Sequence, residues 1–361
     1  MRTIHSRRQF LRMAGFTCGA ACAASLVQGC ISPSPTAPSA TTPLAAIPTT
    51  APAVITAALP RLVVSYGSKG AAFAPLWMAK ATGGFENYGV SVDMQFIEGS
   101  ASVPAMIAND TDVQENPPAS FIPADVNGNQ DVVIIASALN HPTLALYAMS
   151  DIQTAEQLKG KTIGADKPGT GIDYFARLSL SLLGLKPDDV ELRTVGTSPE
   201  IATAMLSGQV HAGIVGPPHS FQLENRGFRL LQDIFGQPFQ SLALLARRSR
   251  LDELAPALRP LLAAVRDGIL SWNSDPQLAM NVMDQYIQVG DPEILRRTYE
   301  FFTKVAPFEP SLQPTIPGLK GQMDFMAATT LPALSRFTPE QFVDGRFLAE
   351  LPTRSAPRAA N

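Results

Sequence analysis

Gly169, Thr170 and Gly171 stand between a short β-prone run, Lys161 to Ala165, and an apolar stripe at Ile172, Phe175, Leu178 and Leu182. That order predicts strand, glycine turn, helix. The first N–H groups of such a helix point out of the turn and can hold a carboxylate, sulfonate or phosphate, with the Thr170 hydroxyl beside them. Asp173 and Arg177 are spaced to pair on the outer face, and Gly184 is placed to stop the helix. No lysine follows the last glycine, so the turn is not a P-loop, and it lacks the GxGxxG spacing of a dinucleotide turn.

Other predicted turns supply matching groups. Gly67, Ser68 and Lys69 follow the strand Arg61 to Tyr66 and offer an amide, a hydroxyl and a cation. Phe73 precedes the next helix and is placed to line a cleft, whereas Trp77 one turn later reads as core. Asn116 and Ser120 flank Pro117-Pro118, where an amide could bind a ligand or brace the turn. Asn140 and His141 lie in a predicted crossover, where cleft and hinge roles compete. Pro217 and His219 follow Gly216 at a strand end, and His211 begins a strand as a cap or surface residue.

Catalytic chemistry has little to work with. The cysteines are Cys18, Cys22 and Cys30, so the body has no thiol nucleophile and no cysteine metal ligand. No GxSxG is present, and four histidines are spread along the chain without a metal-binding spacing. No catalytic residue, metal or cofactor is therefore expected.

The elements that would position these groups repeat. Strand 61–66, helix 75–80, strand 90–97, helix 102–109 and strand 111–114 are followed by strand 161–165, helix 171–183, strand 190–195, helix 199–207 and strand 210–215. Met106 and Met205 are 99 residues apart, as are Asn109 and Gly208, and Asp112 and His211. Strands alternating with crossover helices imply two parallel-type sheets, hence two α/β lobes of three layers, with ligands beyond the carboxyl ends of the strands. The first turns of both lobes then face one cleft, as in a hinged binder. Two crossover segments join the lobes, and Leu242 to Ala246 returns the chain to the first. Helices at 254–273, 276–286 and 292–302 cover that lobe, and Phe308 to Pro317 reads as loop.

The N-terminal segment reads differently. Ser6-Arg7-Arg8-Gln9-Phe10-Leu11-Arg12 before the small apolar run Met13 to Val27 is a twin-arginine export pattern, too short to span a bilayer. Val27-Gln28-Gly29-Cys30 resembles a bacterial lipobox, which makes Cys30 the lipidation candidate; more than one acyl chain would anchor the protein stably to a membrane. Uncharged residues Ile31 to Pro60, rich in Pro, Thr, Ser and Ala, make a spacer. The expected plan is leader 1–29, linker 30–60, first lobe 61–145, second lobe 146–241, return and C-terminal helices 242–351, and disordered tail 352–361. Without its leader, which holds 4 of the 28 Lys and Arg and no acid, the chain has 24 basic against 31 acidic residues, near −7, which argues against a nucleic-acid partner.

Five stretches together resemble the periplasmic solute-binding proteins of nitrate, sulfonate and taurine type ABC importers. They are Phe73 to Lys80, Gly84 to Val92, Leu158 to Gly164, Leu182 to Val190 and Leu206 to Ala212, within about residues 61 to 275. Asn109 stands where the family usually has Gly, and His211 where it has Asp. The resemblance implies a type II two-lobe periplasmic-binding-protein fold, a small anionic or zwitterionic ligand, and docking onto a membrane permease, with the protein exported and monomeric. Two enzyme types share this scaffold, pyrimidine-precursor synthases and desulfinases, but both rely on cysteines that this body lacks; a sensory binder is the other alternative.

Overall fold

A computed structural model describes residues 59–128, 131–349 and 351–353. The leader, Cys30, most of the linker and nearly all of the C-terminal tail lie outside the described residues.

Ten strands form two five-stranded sheets. In the first, β1 (Arg61–Tyr66) lies between β2 (Ser91–Phe96) and β3 (Val113–Asn116), parallel to both. The strand β4 (Val132–Leu139) closes this sheet. From it the chain crosses to β5 (Ala145–Ala148) of the second sheet, where β6 (Thr162–Ala165) lies parallel between β7 (Glu191–Thr194) and β8 (Ala212–Val215). After β9 (Arg229–Gln232) the chain returns as β10 (Leu242–Arg247), antiparallel between β3 and β4, just as β5 lies antiparallel between β8 and β9.

The internal echo holds at the level of single hydrogen bonds. Val64 pairs with Val113 and Ile163 with Ala212, each 99 residues on. Asn109 and Gly208 both adopt left-handed backbone, φ 62° and 74°, where only Gly, Asn and Asp are comfortable. The Asp112 carboxylate accepts from the Val63 N–H at 2.8 Å, and His211 Nδ1 accepts from the Thr162 N–H at 3.3 Å. His211 thus does for β6 what Asp112 does for β1. These side-chain caps also explain why β3 begins at Val113, two residues later than the sequence pattern predicts.

Burial follows position. The inner strands β3, β5, β6 and β8 are buried throughout, as is β4 at the edge of the first sheet, whereas the edge strands β2, β7 and β9 are half exposed. The helices Ala74–Ala81, Leu251–Ser274, Pro276–Ile287 and Pro292–Lys304 share one apolar core with the first sheet. Trp77 belongs to that core, stacked on Tyr286 with ring centroids 4.6 Å apart.

One helix, Ile316–Thr329, goes beyond the sequence reading. Pro317, Gly318 and Gly321 look like breakers, yet Pro317 sits in the first turn where its missing N–H is harmless, and Thr315 caps the Gly318 N–H at 3.3 Å. Its Leu319, Met323 and Met326 join a core shared with Ile134 of the first sheet and Ile163 of the second. This helix ties the lobes together.

Candidate functional site

The turns after β1, β3, β6 and β8 open onto one cavity of about 790 Å³, part of it continuous with solvent. The first lobe lends it Gly67, Ser68, Phe73, Asn116, Pro117 and Ser120, and the second Asp166, Thr170, Gly171, Ile172, Phe175, Thr197, Ser198, Gly216 and Pro217. Thr143, Leu144, Ser241 and Leu242, from the two crossings, and Phe302 complete the wall.

Asn116 ends β3 and is 1% exposed. Its Oδ1 lies against Gly67 so closely that a Cβ there would come within 2.0 Å, and its Nδ2 has no acceptor. Leaving a buried donor unmatched costs about 1–3 kcal/mol, which a bound acceptor would recover.

The helix Gly171–Leu182 supplies the second set of donors, by a route narrower than the glycine turn suggests. Thr170 is its N-cap: the hydroxyl accepts from the Asp173 N–H at 3.3 Å and donates to the Lys167 carbonyl at 2.9 Å. The Gly169 N–H donates to Asp173 Oδ2 at 3.0 Å. Asp173 is buried rather than on an outer face, and its partner Arg177 lies 3.0 Å away. The Gly169 amide and the Thr170 hydroxyl are therefore spent inside the turn. The Gly171 and Ile172 N–H groups have no intrahelical acceptor and remain for a ligand.

The helix Ser198–Leu206 also starts at the cavity. Its cap Thr197 gives both N–H and hydroxyl to the Glu200 carboxylate, at 2.9 and 2.6 Å, and Ser198 Oγ accepts from the Gly216 N–H at 3.1 Å, fastening the helix to the end of β8.

Electrostatically the wall is sparse. Among the described residues Asp166 is the one ionisable side chain lining it. Glu115, beside Asn116, is 1% exposed with both oxygens unpartnered, and burial pushes its carboxyl well above the usual range.

Of the residues singled out in the sequence, the cavity brings together Gly67, Ser68, Phe73, Asn116, Ser120, Thr170, Gly171 and Pro217. It does not include Lys69, whose ammonium lies over the Phe96 ring at 5.4 Å. Asn140 is held at the crossing by Ser137 Oγ and by the Gln313 carbonyl, each at 2.7 Å, and His141 faces Glu309 at 3.6 Å. Gly169 borders a separate, smaller cavity. His219 lies behind the wall with Nδ1 3.0 Å from Gln222, and burial lowers its pKa. Asp166, Thr197, Ser198, Phe175 and Phe302 escaped the sequence reading. The repeat offers a signal for Asp166, which stands 99 residues after Gly67 at the same place in the unit.

Two lobes with a cavity at the carboxyl ends of their parallel strands define a two-lobe ligand-binding architecture. Three solved structures share it. A Candida albicans gene product described as having the generic periplasmic binding protein fold is 17% identical, TM-score 0.65, over 80% of this chain and 97% of that one. The alkanesulfonate-binding protein SsuA of Xanthomonas axonopodis pv. citri bound to MOPS is 19% identical, TM-score 0.64, over 75% and 93%. The periplasmic nitrate-binding protein NrtA of Synechocystis PCC 6803 is 13% identical, TM-score 0.63, over 80% and 87%. The fold is thus that of the periplasmic binding proteins. No curated protein matches the sequence. Residues 71–279 match the model of the NMT1/THI5-like family, and the chain belongs to that family.

Proposed function

We propose that the protein is an extracytoplasmic solute-binding component of an ABC importer, capturing a small anionic or zwitterionic organic molecule between its lobes and passing it to a membrane permease. One observation carries this reading: a cavity walled by both lobes holds donors that the protein leaves unspent, Asn116 Nδ2 and the Gly171 and Ile172 amides. The wall has serine and threonine hydroxyls but no histidine, lysine or cysteine beside them, and its one carboxylate, Asp166, is hydrogen-bonded to the Lys167 N–H rather than to any of those hydroxyls. Capture without chemistry fits such a wall. The sulfonate and nitrate binders of the same fold support the assignment.

The energies are consistent with a site of this kind. A helix terminus contributes about 0.3–1 kcal/mol, up to ~2 when partly buried. Covering roughly 100 Å² of ligand carbon with Phe73, Ile172, Phe175 and Phe302 adds about 2.5 kcal/mol. A micromolar ligand needs about 8 kcal/mol, so several donors must act together.

The test is a panel of sulfonates, aromatic acids, nitrate, and pyrimidine and flavin precursors, followed by thermal shift and by NMR of the ligand. A binder gains about 2.7 kcal/mol at a hundredfold excess over Kd and returns the ligand unchanged. Consumption of the ligand would overturn the reading. Lipidation of Cys30 would hold the monomer at the membrane surface; labelled fatty acid should enter the wild type and not Cys30→Ala. No helix among the described residues is long and apolar enough to cross a membrane.

A further inference from the structure

The cavity's donors call for an acceptor on the ligand, but its one charged side chain asks for the opposite. Asp166 follows β6 directly and is 6% exposed. Its Oδ1 accepts from the Lys167 N–H at 2.7 Å, and no cation pairs with either oxygen among the described residues. In the first lobe the same place in the repeat is Gly67, which brings no side chain at all. A carboxylate has thus been placed almost wholly out of solvent on the cavity wall, where a charge is costly to bury unless a partner arrives. The partner does not come from the wall, which has no lysine, arginine or histidine.

We infer that the ligand itself brings the cation: a protonated amine or amidine that pairs with Asp166, on the same molecule as the acceptor group that meets Asn116 and the Gly171 and Ile172 amides. This rests on the binding reading above and narrows it, because a simple anion such as nitrate or an alkyl sulfonate would meet a like charge that no cation of the wall offsets. Phe73, Phe175 and Phe302 suit a flat apolar body joining the two groups.

Matched probes separate the two charges. Taurine and 2-hydroxyethanesulfonate differ only in ammonium against hydroxyl, as do 4-(aminomethyl)benzoate and 4-(hydroxymethyl)benzoate. Calorimetric titration of the full-length protein should show the amine of at least one pair binding at least tenfold more tightly than its hydroxyl counterpart. Asp166→Asn keeps an oxygen for the Lys167 N–H but removes the charge, and it should erase that preference; Asp166→Glu should retain it. The inference fails if the hydroxyl members bind wild type as well as the amines do, if Asp166→Asn leaves the preference intact, or if none of the four binds. Hydroxyl members that bind as tightly as the amines, with that binding lost on changing Asn116, would sink this inference and leave the binding reading standing. Silence across the broader panel as well would sink both.

Discussion

Gly171→Ala is the sharpest perturbation the cleft allows. Gly171, in the second lobe, faces Pro117, in the first, and a Cβ on it would come 2.9 Å from both Cβ and Cγ of the proline. Ordinary carbon contacts begin near 3.5 Å, so the lobes must part by roughly half an ångström or the loop must yield. Yielding is hard. Pro117 is held by the Ser120 N–H to its carbonyl at 3.0 Å, and the following turn is locked by the fully buried Phe121. Overpacking of this kind costs about 1–3 kcal/mol. If capture requires the lobes to meet as they do here, that cost falls on the bound state and weakens affinity about 5- to 150-fold. The helix should not suffer, because alanine is a better helix former than glycine by up to about 1 kcal/mol. Calorimetric titration and thermal melting of the unliganded protein should therefore move in opposite senses, affinity down and midpoint unchanged or higher. Affinity equal to wild type would show that the rim contact does not limit closure.

Four further expectations follow from the same geometry. Gly67→Ala puts a Cβ 2.0 Å from Asn116 Oδ1, so it should turn the amide away and abolish binding measured by titration, as a direct Asn116→Ala change should weaken it about 5- to 15-fold. Thr170→Val removes a cap rather than a ligand contact and should lower stability by about 1 kcal/mol in urea unfolding, with little change in affinity. Glu115 holds its proton to higher pH when folded than when unfolded, so the folded state binds more protons and stability should fall as pH rises from about 4.5 towards the raised value; Glu115→Gln should remove that slope in unfolding measured at pH 5 and pH 8. His211→Asp should leave stability within about 0.5 kcal/mol, because Asp112 already performs the same capping in the first lobe.

Much of this was legible in the chain because the repeat is carried by residues with narrow backbone preferences. Gly208 and Asn109 mark the ends of matching helices, and the apolar run Leu242 to Ala246, read as the return of the chain to the first lobe, lies in β10 of the first sheet. The turns that form the site were readable too, as positions. What was not readable is which polar atoms remain free. Thr170 and Gly169 have the right types for an anion seat, but Asp173, four residues from Gly169 and one turn into the helix, claims the Gly169 N–H, and it is the Gly171 and Ile172 amides that stay without an acceptor. Lys69 has the right charge, but Phe96 from the neighbouring strand draws it aside. Both outcomes are decided by side-chain contacts that periodicity does not encode. Helix 316–329 was hidden for another reason: its proline and two glycines are tolerated because tertiary packing, not propensity, holds it.

The placement of β10 bears on how the molecule can be made. Sheet one has a slot between β3 and β4 that is filled by residues 242–247, which come after the whole of sheet two. A nascent chain that has not yet reached that point presents two raw strand edges facing an empty lane, an invitation to mispair. The first lobe must therefore wait for the second, and a truncation ahead of Leu242 would yield a sticky fragment instead of half a receptor.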